Sequence, residues 1–224
     1  MKKKQFAWLC LFLPLFAFAQ PKQEPVKIAC IGNSITEGYG LEHPATESWP
    51  SVLQQLLGNG YSVRNFGASG RTLMMKGDVP YMKEQCFRDA LASLPDIAII
   101  KLGTNDSKEW NWQHKQDFKT DLHALIHSLD TLSSHPQIYL CLPIPAHKNP
   151  YSINDSIIRN GIIPLIQETA NECKLPTIDL YTEMLPYYLK ECPDGVHPDK
   201  QGAARLAGFI YQAIRKEKEE KASE

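Results

Sequence analysis

The chain has 224 residues, of which 43% are hydrophobic and 22% are charged, and its formal net charge is -1. This length and composition predict one globular domain with a core large enough to fold without disulfide bonds. The near-neutral charge gives no reason to expect nucleic acid or an anionic membrane surface as a partner.

The N-terminus has the pattern of a secretory signal peptide. Residues 2–4 are lysines, and residues 6–18 form an apolar stretch that is too short to cross a bilayer comfortably. The small residues Ala17 and Ala19 fit a cleavage site, so we predict a signal peptide over residues 1–19; an uncleaved membrane anchor is the alternative. We therefore expect a secreted bacterial protein, periplasmic or extracellular, that keeps no membrane contact after cleavage.

Removal of the signal peptide leaves five cysteines: Cys30, Cys86, Cys141, Cys173 and Cys192. An odd number leaves at least one thiol free, and no pair has the C-x-x-C spacing of a zinc site. An oxidising compartment permits a disulfide bond, but the sequence does not assign its pairing. The sequence gives no oligomeric state either.

Strands and helices alternate along the chain after a short lead-in over residues 20–25. Apolar, β-branched runs predict strands over residues 26–31, 61–66, 97–102, 138–142 and 177–180. Amphipathic spacing predicts helices over residues 46–57 (with Leu56 on its buried face), 80–94, 117–132, 154–173 (interrupted at Pro164) and 198–215. A charged tail over residues 216–224 follows. This alternation indicates parallel βαβ units with helices on both faces of one sheet, in a single domain over residues 26–215.

A serine follows the first predicted strand at a sharp turn. Gly32 permits the turn, and Ser34 then stands at the start of a helix with its hydroxyl exposed at the C-terminal edge of the strand. Free backbone N–H groups surround this position, which therefore suits a nucleophile. Ser34 and Glu37 also fit the S-x-x-E capping box, which would need no chemistry.

Three more groups of glycine or polar residues follow other predicted strands. A glycine-rich turn over residues 67–71 follows the second strand, Asn105 follows the third, and Asp194 and His197 follow the fifth. Each has a structural alternative: a turn glycine, a helix start and a surface histidine. Because the carboxyl ends of parallel strands meet at one edge, where ligands bind, we expect these groups to lie near Ser34.

These residue types are the ones that nucleophilic catalysis by serine requires. His197 can take the proton of the Ser34 hydroxyl and later return it, and Asp194 can hold the imidazole in the required tautomer. The chain order serine, aspartate, histidine is one of the known triad orders. The backbone N–H groups of Ser34 and Gly67, with the side-chain amide of Asn105, supply three candidate donors to an oxyanion.

The order and spacing of these motifs resemble those of the SGNH (GDSL-like) hydrolases. The matching motifs are residues 32–34, Gly67, residues 103–106 and residues 194–198, with Asn33 where the namesake motif has aspartate. The resemblance implies a flavodoxin-like, three-layer α/β/α sandwich with a five-stranded parallel sheet in the order 2-1-3-4-5. It also implies ester hydrolysis without a cofactor, and it assigns the catalytic and oxyanion-binding roles to the same serine, aspartate, histidine, glycine and asparagine.

The segment over residues 100–108 resembles that of secreted bacterial carbohydrate acetylesterases. This resemblance implies a small-molecule or polysaccharide acyl ester as the substrate. Trp110 and Trp112 follow the segment, and their rings either form a wall on which a sugar stacks or pack the loop onto the body. Arg71 is a candidate for the rim of the site, with an exposed structural loop as its alternative.

Other functions remain open. A lysophospholipase or thioesterase would use the same triad on longer acyl chains, and a non-catalytic carbohydrate-binding protein would keep the fold. A phosphate- or flavin-binding module would need a G-x-G-x-x-G or a P-loop lysine, which the loop after the first strand lacks. His123 and His127 stand four residues apart on a predicted helix without a glutamate or a third ligand, so we predict a solvated helix face and no metal site.

Overall fold

The computed structural model describes residues 24–223, so the predicted signal peptide lies outside the described residues. Its centre is one parallel sheet of five strands in the order 2-1-3-4-5. The strands are β1 (Val26–Gly32), β2 (Tyr61–Gly67), β3 (Ile97–Lys101), β4 (Gln137–Cys141) and β5 (Thr177–Ile178). The predicted α/β class and strand order are confirmed.

Helices fill most of the connections between these strands. The α-helices of the described range are α1 (Ser34–Glu37), α2 (Pro44–Glu47), α3 (Trp49–Leu57), α4 (Gln85–Ala92), α5 (Glu109–Trp112), α6 (Phe118–Asp130), α7 (Asp155–Ile157), α8 (Ile163–Cys173), α9 (Leu180–Met184), α10 (Tyr188–Glu191) and α11 (Lys200–Ser223). Short 3₁₀ turns occupy Gly58–Gly60, Tyr81–Lys83, Asn105–Ser107 and Lys115–Asp117. Across residues 24–223, no helix combines the length and the apolar character that a membrane span needs.

The strand order places helices on both faces of the sheet. The chain moves from β1 to β2 in one direction, and from β3 through β4 to β5 in the other. Right-handed crossovers, the rule for parallel strands, then put α3 on one face and α6 and α8 on the other. Contacts agree with this arrangement, because α11 packs on α3 and α6 packs on α8. The outcome is a three-layer sandwich.

The central strands are buried on both faces, as continuous apolar runs predict. Every residue of β3 is buried, including Lys101 at its carboxyl end. Leu53 of α3, Leu125 of α6 and Ile210 of α11 are fully buried against the sheet. Burial of a side chain of this size contributes about 1.5–3 kcal/mol, so the core holds the strand ends, and the loops that leave them, in fixed positions.

The helix predicted over residues 46–57 is divided in two. Ser48 is extended, with ψ at 150°, and it separates α2 from α3. Pro50 explains the break, because it is accepted in the first turn of a helix but would disrupt a helix that continued through it. Leu56 is 44% exposed, although Trp49 and Leu53 of the same helix are buried, so its predicted place on the buried face is wrong.

Two other predicted helices begin later than expected. The helix predicted over residues 80–94 is α4 alone, because Glu84 is extended and separates it from a 3₁₀ turn. The last helix begins at Lys200 and not at Pro198. Oδ1 of Asp199 accepts an N–H of the first turn at 2.8 Å, so this aspartate acts as the N-cap.

The helix predicted over residues 154–173 has the interruption that Pro164 predicts. It consists of α7, a π-helical turn over Ile158–Ile162, and α8, with the proline in the first turn of α8. A proline has no N–H for the preceding turn and its ring needs space there. The wider π turn supplies that space without ending the helix.

Substitution of Gly67 by alanine tests how closely β2 and α1 approach. A Cβ at this position would lie 2.2 Å from the backbone nitrogen of Glu37 and 2.6 Å from its Cα. Backbone atoms cannot yield cheaply, so Gly67→Ala should lower the free energy of unfolding by about 2–3 kcal/mol in urea titrations. The control is Gly208→Ala in α11, where a Cβ meets nothing within 4 Å. Gly208→Ala should raise the free energy of unfolding by about 0.5–1 kcal/mol. Equal effects of the two substitutions would contradict the close packing of Gly67 on Glu37.

Candidate active site

Ser34 stands at the junction of β1 and α1. Gly32 ends the strand, and a Cβ there would lie 2.1 Å from Oγ1 of Thr36, so the turn accepts only glycine. Asn33 is the N-cap of α1, because its Oδ1 accepts the N–H of Ile35 at 3.3 Å. The cap is therefore not Ser34, and the capping-box alternative is wrong. Ser34 is 6% exposed and is available for another role.

The carboxylate of Glu37 also differs from the capping-box expectation. It accepts a hydrogen bond from the hydroxyl of Ser69, in the turn after β2. Glu37 thereby ties the end of α1 to the loop that follows the neighbouring strand.

The structure brings Ser34, His197 and Asp194 into one hydrogen-bonded row. Oγ of Ser34 lies 2.9 Å from Nε2 of His197, although the two residues are 163 positions apart in the sequence. Nδ1 of His197 lies 2.7 Å from Oδ2 of Asp194. His197 is 7% exposed, so this row is largely shielded from solvent.

Asp194 holds both the imidazole and the loop that carries it. Its Oδ1 accepts the backbone N–H groups of Val196 at 2.9 Å and of His197 at 2.7 Å. Burial raises the pKa of Asp194, but the hydrogen bonds from His197 and Val196 outweigh burial and keep this pKa below its ordinary value. The group is therefore a carboxylate at neutral pH, and it favours a proton on the facing Nδ1.

Two tyrosines that the sequence did not single out enclose the imidazole. The ring centroids of Tyr39 and Tyr151 lie 4.6 and 5.0 Å from that of His197. A hydrogen bond to Tyr39, burial and the nearby carboxylate of Asp194 raise the pKa of the Tyr151 hydroxyl to about 12, so it stays protonated. Both residues occupy irregular loops, where no periodicity or motif could have indicated them.

A cavity of about 290 Å³ opens in front of Ser34. It combines hydroxyl, amide and ammonium groups with aromatic and aliphatic walls. The lining residues are Ser34, Tyr39, Ser69, Gly70, Asn105, Lys108, Tyr151, Ile153, Val196 and His197. Its size and mixed lining are typical of a site for a small ligand.

Asn105 lies at this cavity as predicted. One hydrogen of its Nδ2 is donated to the backbone carbonyl of Arg71 at 3.0 Å, which fixes the amide and leaves its second hydrogen available. The backbone carbonyl of Asn105 accepts a hydrogen bond from Nδ2 of Asn111 at 2.9 Å, which ties the 3₁₀ turn to α5.

Gly67 does not occupy the position that the sequence assigned to it. Its N–H donates to Oδ1 of Asn65 at 2.9 Å, and its Cα faces the backbone of Glu37, so it is not free to bind an oxyanion. Gly70, three residues later, lines the cavity instead, with a φ of +79°. The turn contains both glycines, and the sequence offered no feature to choose between them.

None of the three predicted substrate contacts, Arg71, Trp110 and Trp112, lines the Ser34 cavity. Nε of Arg71 lies 3.2 Å from the carboxylate of Glu84, and Nη1 donates to a backbone carbonyl, so the side chain is used in holding its loop. Trp112 packs on Phe118 and lines a separate groove, which leaves it outside the Ser34 cavity. Trp110 is 47% exposed and lines a groove next to that cavity.

His123, the first of the two histidines on α6, has structural partners. Nε2 of His123 lies 3.1 Å from Glu172 and Nδ1 lies 3.5 Å from the sulfur of Cys173. Within the described part of the chain, no group of three or more histidine, cysteine or acidic residues is arranged to hold a metal ion.

Sequence comparison adds to this geometry. The model of the GDSL-like Lipase/Acylhydrolase family matches residues 30–205. The chain belongs to this family of ester hydrolases. A curated relative, an acetylxylan esterase from Xylanibacter ruminicola, is 44% identical over 212 residues, which cover 87% of this chain and 44% of the relative. The chain thus spans less than half the length of that relative.

Solved structures share the fold at lower identity. Est24, a carbohydrate acetylesterase from Sinorhizobium meliloti, is 20% identical with a TM-score of 0.69, over 84% of this chain and 98% of that one. The aryl esterase of M. smegmatis is 20% identical with a TM-score of 0.70, over 85% of this chain and 98% of that one. These similarities confirm the predicted fold.

Asp106 joins two of the loops that form the cavity. Its carboxylate accepts the backbone N–H groups of Leu73 at 2.9 Å and of Met74 at 2.8 Å, and it is completely buried. Burial raises the pKa of Asp106 to about 6, in spite of these hydrogen bonds. The loop after β3 is therefore tied to the segment that carries Ser69 and Gly70.

The raised pKa of Asp106 predicts a pH-dependent contribution to stability. A carboxyl whose pKa is higher in the folded state stabilises most below its unfolded pKa, near 4, and this contribution is lost as the pH rises to about 6. Asp106→Asn should destabilise at every pH, but the gap in unfolding free energy to wild type should shrink by about 2–3 kcal/mol between pH 4 and pH 7. Urea titrations across this range measure the gap. A gap that widens with pH would contradict the raised pKa.

Proposed function

We propose that the protein is a serine esterase in which Ser34 is the nucleophile, His197 the general base and acid, and Asp194 the group that orients the imidazole. The observation that carries this proposal is the row of contacts at 2.9 and 2.7 Å from the Ser34 hydroxyl to the Asp194 carboxylate. The carboxylate retains the proton on Nδ1, which leaves the Nε2 lone pair to accept the hydroxyl proton.

The reaction proceeds in two displacements. The Ser34 oxygen attacks the ester carbonyl as His197 takes its proton, and the imidazolium then protonates the leaving alcohol when the ester bond breaks. Water attacks the resulting acyl-serine, again with the imidazole as base, and releases the carboxylic acid and the free enzyme. The carboxylate of Asp194 at Nδ1 stabilises the imidazolium of each step, and the rings of Tyr39 and Tyr151 hold the imidazole between them.

Three donors are suited to bind the oxyanion of both tetrahedral intermediates. They are the backbone N–H of Ser34 at the start of α1, the backbone N–H of Gly70, and the second hydrogen of Asn105 Nδ2. Each donor of this kind typically contributes about 2.7–4 kcal/mol of transition-state stabilisation. Gly70 replaces Gly67 in this set.

We infer that the substrate is a short acyl ester, most simply an acetyl ester, on a carbohydrate. The cavity of about 290 Å³ is enclosed by Tyr39, Tyr151 and Ile153, which leaves room for a small acyl group and part of a sugar ring. The similarity to an acetylxylan esterase supports the same substrate class. The signal-peptide pattern supports export of the enzyme to a compartment where polysaccharides are encountered.

Ser34→Ala should abolish esterase activity while the fold remains. The change removes the nucleophile but keeps the helix start, so we expect less than about 0.1% of the wild-type kcat on p-nitrophenyl acetate and an unchanged Tm. Ser128→Ala is the matched control, because its hydroxyl bonds only a carbonyl of its own helix, α6. Residual activity of a few per cent in the Ser34 variant would exclude this nucleophile.

Acyl-chain length distinguishes the acetylesterase from a lysophospholipase or thioesterase with the same triad. We expect kcat/KM on p-nitrophenyl esters to fall by about tenfold or more from acetate to octanoate, because the tyrosine walls limit the acyl pocket. Initial rates on acetate, butyrate and octanoate esters measure this trend. A maximum at eight carbons would favour the long-chain alternative.

A further inference from the structure

We propose that a second groove, next to the Ser34 cavity, binds a neighbouring sugar unit of the substrate with Trp110 as its aromatic platform. The substrate would then be an oligosaccharide or polysaccharide and not a single acylated sugar. This inference rests on the proposed function, since it places the acylated sugar at Ser34, but it concerns a different set of side chains.

The groove has a volume of about 610 Å³, against about 290 Å³ for the Ser34 cavity. One wall is formed by Glu109 and Trp110 of α5, and the other by residues 146–156, which comprise the loop after β4 and the start of α7. The two cavities adjoin, because Ile153 lines both of them. A substrate that extends from the catalytic cavity therefore enters this groove.

The indole of Trp110 is exposed but held in a fixed orientation. Its Nε1 donates to Oδ2 of Asp78 at 3.1 Å. Asp78 also contacts Nζ of Lys108 at 3.4 Å and accepts from Nδ2 of Asn111 at 3.0 Å. A ring that is 47% exposed loses little additional freedom when a ligand covers it, provided that it is already anchored.

Asp78 remains charged in this role. Burial raises the pKa of Asp78, but hydrogen bonds from Trp110 and Asn111 and the charge of Lys108 outweigh it and lower the pKa. The charged carboxylate gives the indole N–H a stronger hydrogen bond than a neutral acceptor would. Asp78 is therefore a positioning residue that acts through Trp110.

The facing loop is equally well ordered. The side chain of Asn149 accepts the N–H groups of Tyr151 and Ile153 at 3.0 and 3.1 Å, and it donates to the carbonyls of His147 and Ile153 at 2.6 and 3.0 Å. Four hydrogen bonds from one side chain fix the course of the loop. Tyr151 consequently lines the catalytic cavity, while Ser152 lines the groove.

The chemistry of the groove favours a sugar over an acyl chain. A pyranose ring has an apolar C–H face, which stacks on an indole, and hydroxyl groups, which need polar partners. The groove offers one exposed indole, and polar or charged groups of Glu109, Lys148, Ser152 and Ser156 surround it. A hydrocarbon chain would leave these polar groups desolvated without compensation.

The test compares hydrolysis of monoacetylated mono- and tetrasaccharides, in a xylose and a mannose series. For wild type, kcat/KM should be higher on the tetrasaccharide, and in Trp110→Ala the ratio of the two values should fall by about tenfold through KM. In Trp110→Phe this ratio should fall by less than in Trp110→Ala, because a smaller aromatic ring remains. Trp112→Ala removes the neighbouring indole, which lines a separate groove, so the ratio should match wild type.

The role of Asp78 is tested by a double variant. Asp78→Asn should raise KM on the tetrasaccharide, and Asp78→Asn with Trp110→Ala should be no worse than Trp110→Ala alone, because the carboxylate acts through the indole. Additive losses would show that Asp78 has a separate role. Equal kcat/KM on one and four sugar units in both series would overturn the groove proposal.

Binding provides a readout that does not need catalysis. The Ser34→Ala protein, titrated with the acetylated tetrasaccharides, should show a change in tryptophan fluorescence that the Ser34→Ala, Trp110→Ala protein lacks. If wild type cleaves no ester but this change is present, the proposed function fails and the sugar-binding groove stands. If esters are cleaved at Ser34 but the change is the same in both proteins, the groove proposal fails alone.

Discussion

The contact of 2.9 Å between Ser34 and His197 depends on the parallel sheet. Parallel strands deliver their following loops to one edge, so residues from the two ends of the domain meet there without a long connection of their own. β1 supplies the serine directly, and the segment between β5 and α11 supplies the histidine. Burial of β1 and β3 on both faces fixes this edge, and the proposed reaction requires that rigidity, because a proton would pass between these two atoms only at hydrogen-bond distance.

The sequence was informative where residues follow regular elements. Apolar periodicity located the strands, and the polar residues just beyond their carboxyl ends, Ser34, Asn105, Asp194 and His197, lie together as expected.

Prediction was weaker where local chemistry decides between near neighbours. Pro50 and Asp199 moved helix boundaries by steric and capping effects, and the choice between Gly67 and Gly70 depended on which N–H the neighbouring Asn65 already bound. Tyr39, Tyr151 and Asp78 lie in loops, where no periodic pattern exists to identify them.

Around the site, buried or half-buried carboxylate and amide side chains bind the backbone groups of the loops, as backbone hydrogen bonds do in helices and strands. Asp106 binds two backbone N–H groups of the loop after β2, Asp194 binds two in its own loop, and Asn149 binds both N–H and carbonyl groups of the loop after β4. Backbone groups in irregular segments would otherwise lack partners away from water. The loops at this edge are thus satisfied internally, and their donors and aromatic rings are positioned before a substrate arrives.

The loop after β4 contacts the loop that carries Asp194 and His197, and the contact is made at Gly195. Its φ is +87°, a Cβ there would lie 2.5 Å from the carbonyl oxygen of Lys148, and its own carbonyl accepts the N–H of His147 at 3.0 Å. Any shift of residues 147–149 would consequently be transmitted to the imidazole, whereas Ser152 and Ser156 make none of these contacts and can be replaced without moving it.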